Sequence, residues 1–395
     1  MPPKPGQTSA RAGKFLLIEA GRDGFWAFHP KPLPPDPPLR IDTTTQTLLD
    51  RANQALGRLD GVTLLLPDPE QFIYTFVRKE AVLSSQIEGT QSSLSDLLLF
   101  EHDAAPGLLR EDAQETSNYI AALNHGLAQI AQPGAPPLSA RLLREMHALL
   151  LQSGRGSRKA PGDFRRTQNW LGGSRPGLAR FVPPPATEVV PAIAALERFI
   201  HDDPQVTSVL IKAALAHVQF ESIHPFLDGN GRIGRLLIAL LLCSEGVLRS
   251  PLLYLSLYFK RQRDAYYEHL QRVRTEGDWE GWLRFFLQGV VDVAESTTRT
   301  TQRLVAMIES DRQTIHGFGR SAATAHRVHD LAARFVLVGA PSITEQLALT
   351  SPPVYAALDR LERAGILREA TGRRRGKLYV YDKYLAILNE GTEPG

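Results

Sequence analysis

Twelve residues, His224-Pro225-Phe226-Leu227-Asp228-Gly229-Asn230-Gly231-Arg232-Ile233-Gly234-Arg235, constrain this chain more than any other stretch. Apolar helical runs flank them, Ala213 to Phe220 before and Leu236 to Cys243 after. Pro225 biases His224 away from the α region, and Asp-Gly-Asn-Gly is turn composition. The pattern predicts a helix, an exposed loop and a helix N-terminus. The backbone N–H groups of Gly229, Asn230 and Gly231 would then face an anion, with the dipole of the next helix behind them. A base, a carboxylate, an amide and two guanidinium groups in so short a span are residue types suited to phosphate chemistry.

Gly229, Gly231 and Gly234 also satisfy G-x-G-x-x-G, but a dinucleotide-binding reading needs a strand before the glycines and an acid about twenty residues on. Here a helical run and His-Pro precede them, and Glu245 is the nearest downstream acid. That reading fails, and no Walker A lysine pattern occurs. Lys and Arg total 45 against 42 Asp and Glu, a net charge of +3, so composition argues for neither a nucleic-acid tail nor a membrane-surface protein. No apolar run is long enough to span a bilayer. The N-terminus lacks the apolar stretch of a signal peptide. The single cysteine, Cys243, excludes an internal disulfide and a cysteine-rich zinc site, which fits a reducing cytoplasm.

Residues 1 to 13 read as a disordered tail, and Phe15 to Ile18 as a short strand. Six prolines from Pro30 to Pro38 forbid helix and imply an extended arm laid on the body. Helical spacing recurs over Thr44 to Leu59, Pro69 to Ile87, Asp112 to Ile130 and Ser139 to Leu151, the last two separated by Gln132-Pro133-Gly134 and Pro136-Pro137. The glycine- and proline-rich span from Pro161 to Pro185 suggests a hairpin or functional loop. Further helices are expected over Thr187 to His201, Pro204 to Glu221, Arg232 to Cys243, Arg261 to Thr275 and Trp279 to Val293. The fold class is mainly α, an orthogonal helical bundle without βαβ alternation. The division expected is 14–110 for an N-terminal arm and helix, 111–300 for a core, 301–327 for a helical linker and 328–395 for a terminal module. In that module Ser342-Ile343-Thr344-Glu345 reads as a capping box, and Ser351-Pro352 opens a helix with Val354, Leu358 and Leu361 on one face and Gly365 as its stop. Ile366 to Glu369 and Leu378 to Tyr381 read as paired strands, completing a winged helix-turn-helix. Its hairpin carries Arg373, Arg374, Arg375 and Lys377, candidate DNA-backbone contacts.

His-Pro-Phe-x-Asp-Gly-Asn-Gly-Arg-x-x-Arg resembles in full the signature of the Fic domain family, whose members mostly transfer AMP from ATP to a protein hydroxyl. The likeness extends to Phe28-His29-Pro30, to Gly162-x-Phe164-Arg165, to Phe181-Val182-Pro183-Pro184 and to Tyr266-Tyr267 with Glu276-Gly277-Asp278, covering about residues 15 to 300. The resemblance implies that His224 is the general base, suited by its ordinary pKa near neutrality, and that Asp228 holds Mg²⁺ on the ATP phosphates. It assigns Gly229, Asn230 and Gly231 to an anion hole and Arg232 and Arg235 to the β- and γ-phosphates. Tyr266 and Tyr267 resemble a pair lining the nucleotide pocket, though Thr275 stands where some members have asparagine. Phe181, Val182 and Pro183 resemble a β-hairpin flap that pairs with an extended segment of the target. The partners implied are ATP, a Ser, Thr or Tyr hydroxyl of a target protein, the chain itself included, and a second copy in a homodimer.

Upstream, Ser84-x-x-x-Glu88-Gly89 resembles the family's inhibitory pattern at a helix end closed by Gly89. An anion at a helix C-terminus prefers a cationic partner elsewhere, and the resemblance implies that Glu88 competes with ATP for Arg235. Two alternatives stay open: a DNA-binding regulator whose core senses nucleotide, and a relative that moves another phosphate-containing group or removes AMP with Glu88 positioning a water.

Overall fold

The computed structural model describes residues 11–19, 24–64, 69–102, 110–132, 134, 138–201 and 207–392. Most of the tail expected over residues 1 to 13, the Pro136-Pro137 break and the helix start at Pro204 lie outside them. The chain folds as two compact units, Met1–Gly57 with Ser117–Val293, and Arg58–Thr116 with Ala294–Gly395.

An antiparallel hairpin, β1 (Gly13–Ile18) and β2 (Phe25–Pro30), opens the first unit with Phe15 opposite Phe28. The expected strand is there, together with a partner strand that the proline-rich reading did not anticipate. After Pro30 the arm runs without helix as far as Asp42. Arg11 fixes it, donating to the carbonyls of Pro37 and Pro38 and gripping both carboxylate oxygens of Glu280 at 2.7 Å. A bidentate Arg–carboxylate pair adds geometric specificity as well as attraction.

In chain order the next helices are α1 (Thr43–Leu64), α2 (Pro69–Ile87), α3 (Leu94–Glu101), α4 (Arg110–Ile130), α5 (Ala140–Leu150), α6 (Ala186–His201), α7 (Val209–Ile223), α8 (Asn230–Ser244), α9 (Ser256–Arg261), α10 (Arg263–Glu276) and α11 (Trp279–His316). Helical periodicity located most of them. Periodicity did not show α3, whose Ser93 and Asp96 form a capping box, or the short α9, and the helix expected over Arg261 to Thr275 is α10 alone. It also ended α11 some twenty residues early, because the polar residues after Val293 hide a stripe in which Leu304 and Ile315 are buried.

Helix α7 is the centre of the first unit. Every side chain from Ala213 to Ile223 is buried, which is why its sequence shows almost no polar face. It packs on α6, α8 and α10, and Trp282 of α11 donates its indole N–H to the Ala214 carbonyl at 2.9 Å. His217, on α7, lies 2.9 Å from both the Gly234 carbonyl and the Tyr266 hydroxyl. Its Nδ1 must therefore carry the proton and its Nε2 accept from tyrosine.

The second unit joins α2 and α3 to the C-terminal residues. There α12 (Ala322–Phe335), α13 (Ala340–Leu347) and α14 (Ser351–Arg363) pack beside a small sheet ordered β3–β5–β4, from β3 (Leu337–Gly339), β4 (Arg368–Glu369) and β5 (Leu378–Val380), before α15 (Asp382–Asn389). Helix α13 begins at Ala340, not at the capping box expected from Ser342; Pro341 suits its first turn, and Ser342 Oγ instead accepts from Gln346. Val354, Leu358 and Leu361 are fully buried, and Gly365 adopts φ +67°, as the helix stop requires. Helix α2 is held along its length: Glu70 pairs with Arg334, Lys79 donates to the Glu390 carbonyl and Gln86 to that of Thr392. Tyr381 donates to Asp311 at 2.5 Å, with His329 3.1 Å from the same hydroxyl. Among the described residues no helix is long and apolar enough to cross a membrane.

Burial lowers His217 to about 3 and His329 to about 4, from 6.5. As pH falls the unfolded chain binds protons first, so stability that is complete above pH 6.5 declines below it, by about 1.4 kcal/mol per pH unit for each histidine. Urea denaturation should show a flat midpoint from pH 8 to 7 and a decline between pH 6.5 and 5. The decline should be shallower for the second unit in His329→Gln; an unchanged slope would contradict the assignment.

Candidate active site

The twelve-residue motif spans the end of α7 and the start of α8. Main-chain hydrogen bonding of α7 ends as His224 turns to φ +49°, a left-handed conformation uncommon for a residue with a side chain. Pro225 does remove the α region, as the sequence implies, but His224 turns left-handed rather than extended. Gly229 (φ +76°) then caps α8, where a Cβ would meet Leu150 at 3.2 Å.

The loop is not the exposed one expected from its composition. Phe226 is fully buried, stacked on His147 at 3.7 Å between centroids and packed against Phe164 and Phe220. The Asn230 side chain closes the loop from within, accepting from the Phe226 N–H at 2.8 Å and donating to the Phe226 carbonyl at 2.9 Å. Gly229 donates its N–H to Asp228 Oδ1 at 2.6 Å.

Residues outside the motif fix its shape. Arg165, 2% exposed, donates to the carbonyls of His224 (2.9 Å), Pro184 (2.5 Å) and Ile223 (3.4 Å), and its own N–H bonds to Pro225 O. Arg274, also buried, donates to the Glu221 carbonyl and to Ser222 Oγ, with its guanidinium 3.8 Å above the Phe181 ring. These two arginines satisfy carbonyls that a helix end leaves without partners. Burial pulls both down to about 10, still well above neutrality. His147, on α5, accepts from the Gly162 N–H through Nδ1 and donates through Nε2 to the Asp228 carbonyl. Accepting at Nδ1 requires the neutral ring, and burial lowers its pKa to about 4. Asn169 adds a bond to Phe226 O at 2.8 Å.

The candidate side chains converge on this frame. Glu221 Oε2 is 3.9 Å from His224 Nδ1, and Arg232 Nη2 is 3.7 Å from Asp228 Oδ1. A Cβ on Gly234 would collide with Glu221 Oε1, so glycine there lets α7 and α8 approach. Arg232 and Arg235 are 2% and 4% exposed, which excludes solvated helix-start arginines and gives each cation a high desolvation cost to offset. Asp228 stays partly open to solvent, its Oδ2 beside Gly156.

The remaining candidates are distributed as follows. Tyr266 lies in the core, bonded to His217, and Tyr267 is half-buried with its ring 5.1 Å from that of Tyr266. The flap is reduced to one antiparallel bridge, Leu171 with Phe181. Val182 O accepts from the Phe28 N–H, Pro183 O from Gln168 and Pro184 O from Arg165. Ser84, Glu88 and Gly89 belong to the second unit, where α2 ends at Ile87 and Gly89 adopts φ +103°. The sequence gives Arg165 no role and does not single out His147, Arg274 or Glu221. A histidine on the apolar face of α5 and an arginine late in α10 are the only local signals that could have raised two of them.

The arrangement brings a histidine, a carboxylate and two buried arginines to one loop between two helices. Residues 46–128 match the Fic/DOC family N-terminal region and residues 137–242 match the Fic/DOC family itself. Over those two spans the chain is of the Fic/DOC family. It is similar to the protein adenylyltransferase Fic of Drosophila yakuba, 35% identical over 137 residues, which are 34% of this chain and 24% of that protein. It is also similar to the protein of the same name from Culex quinquefasciatus, 27% identical over 70% of this chain and 54% of that one. The chain thus spans about a quarter to a half of the length of these curated relatives. Among solved structures, a Fic family protein from Desulfovibrio desulfuricans shares the fold with a TM-score of 0.56 at 19% identity, over 87% of this chain and 97% of that chain. Fic-1 of C. elegans does so with a TM-score of 0.51 at 20% identity, over 69% and 74%.

Replacing Arg165 by Met keeps the stem and removes every donor of the fork. The abandoned carbonyls should cost about 2–4 kcal/mol in urea denaturation, with faster amide exchange over residues 224–230 in deuterium-exchange mass spectrometry. Wild-type exchange in that segment would show that the arginine does not hold the loop.

Proposed function

We propose that this chain is a protein adenylyltransferase, moving AMP from ATP to a Ser, Thr or Tyr hydroxyl of a target protein. The observation that carries the reading is the conjunction, in one loop, of His224, Asp228 and the two buried arginines. The name shared by its relatives supports it. The target oxygen forms a bond to the α-phosphorus, the bond to the pyrophosphate leaving group breaks, and His224 takes the hydroxyl proton. Glu221, 3.9 Å from His224 Nδ1, is placed to favour the protonated ring as it forms. The N–H groups at the start of α8 and the Arg232 and Arg235 guanidiniums stabilise charge on the phosphates. Gly229 N–H, now donated to Asp228, must exchange that partner to join the anion hole.

Asp228 is the carboxylate available for Mg²⁺. Mg²⁺ takes one or two carboxylates and completes its shell with phosphates and water, a demand that a single, partly open Asp228 can meet. Bound there, Mg²⁺ would neutralise phosphate charge. Tyr266, held by His217, serves this reading as the wall of the nucleotide pocket rather than its contact surface, and Tyr267 as the contact. Phe181 to Pro183 would orient the target segment, although their carbonyls are already engaged. A cytoplasmic homodimer fits the same reading.

Glu88 competing with the γ-phosphate for Arg235 is the proposed control. A charge-assisted pair contributes about 1.5–3 kcal/mol, enough to suppress productive ATP binding about ten- to a hundredfold. Glu88→Gly should raise incorporation of labelled AMP by that factor, and an unchanged rate would remove Glu88 from the control. His224→Ala should abolish transfer while ATP affinity stays within about threefold; retained transfer would reassign the base.

The C-terminal module reads as a winged helix, with Arg373, Arg374, Arg375 and Lys377 all exposed. Retardation of duplex DNA should weaken steeply with salt and vanish when these four are neutralised. Absence of binding at low salt would assign the module to protein contacts instead.

A further inference from the structure

The charges of this chain nearly cancel, with 45 basic residues against 42 acidic. Residues 152 to 180 break that balance with seven basic side chains and a single acid, Asp163. Arg144 already pairs with Asp163 at 2.8 Å. Of the seven, only Arg165 is buried; Arg155, Arg158, Lys159, Arg166, Arg175 and Arg180 are exposed. An ordinary solvated face mixes both signs. This one does not.

The two segments that carry these residues wall the active-site loop. In the first, a Cβ on Gly156 would lie 3.1 Å from Asp228 Oδ2, and Lys159 closes a turn by donating its N–H to Gly156 O. The same segment reaches the motif through Gly162 at His147 and Arg165 at the His224 carbonyl. In the second, Asn169 bonds Phe226 O, and Arg180 precedes the buried Phe181. Two large apolar side chains, Trp170 (40% exposed) and Leu178 (60% exposed), stand among the charges. An apolar contact within a charged surround is the composition of a protein-recognition surface, in which the charges steer encounter and the apolar groups supply contact area.

Resting on the adenylyltransferase reading, we infer that the polypeptide received beside His224 is acidic, with Asp or Glu within a few residues of the modified hydroxyl. ATP is the other anion that visits this site. Its phosphates have buried cations of their own in Arg232 and Arg235, whereas the six exposed side chains lie on the outer walls. The approaching polypeptide meets those walls.

A binding measurement tests this without requiring transfer. Full-length His224→Ala protein is titrated against fluorescent peptides with one central Thr flanked by Glu, by Ser and Gly, or by Lys. The acidic peptide should bind about tenfold tighter than the neutral one at low ionic strength, and the gap should close in 0.5 M salt, where screening is nearly complete. Arg155→Gln, Arg158→Gln, Lys159→Gln and Arg166→Gln, combined, should bring the acidic peptide to the neutral level. The same four changes in the Glu88→Gly protein should leave the KM for ATP within twofold. Equal binding of the three peptides overturns the inference. So does a large rise in the KM for ATP, which would assign the basic walls to the nucleotide, or displacement of the acidic peptide by single- or double-stranded nucleic acid at lower concentration. If the acidic preference holds but Glu88→Gly protein transfers no AMP, the surface reading stands and the activity reading falls.

Discussion

The site depends on how one helix ends. Helix α7 is buried on every side, so the carbonyls of Glu221, Ile223 and His224 cannot turn to water when its ladder stops. Arg274 takes the first, and Arg165 takes the other two. With those bonds in place His224 can hold a left-handed conformation of a kind that costs about 1–3 kcal/mol and persists only where the surroundings over-determine it. The next residues then drop Phe226 onto His147 and begin α8 at Asn230. Rigidity at His224 therefore comes from guanidinium groups distant in sequence rather than from the loop.

Much of the site was legible because the motif is contiguous. His224, Asp228 and both arginines lie within one turn and one helix start, where spacing alone fixes neighbourhood. The same local logic located α2 and the face of α14. What stayed hidden depends on contacts between distant segments. Arg165, Arg274 and His147 look like ordinary surface or core residues until the fold brings them to the end of α7. The loop was expected to be exposed because turn composition correlates with solvent; burial of Phe226 reverses that, and no local pattern records the His147 ring beneath it. The capping box expected at Ser342 failed for a related reason, since Pro341 opens the helix earlier than the Ser-x-x-Glu pattern indicates.

The two units differ in what they contribute. The first holds the motif and the basic walls around it. The second holds α2, tied from Glu70 to Gln86 by side chains and carbonyls of the C-terminal residues. Each also buries a neutral histidine against a tyrosine hydroxyl, His217 with Tyr266 and His329 with Tyr381. Such networks stabilise only while every member is satisfied.

The central claim is that the loop transfers the α-phosphoryl group with its nucleoside and releases pyrophosphate. Incubating the Glu88→Gly protein with ATP labelled on the α-phosphorus or on the γ-phosphorus, then measuring acid-stable label on protein, tests it most directly. The α label should be retained, with the γ label appearing only in free pyrophosphate. Retention of the γ label on protein, with the α label left in solution, would contradict it.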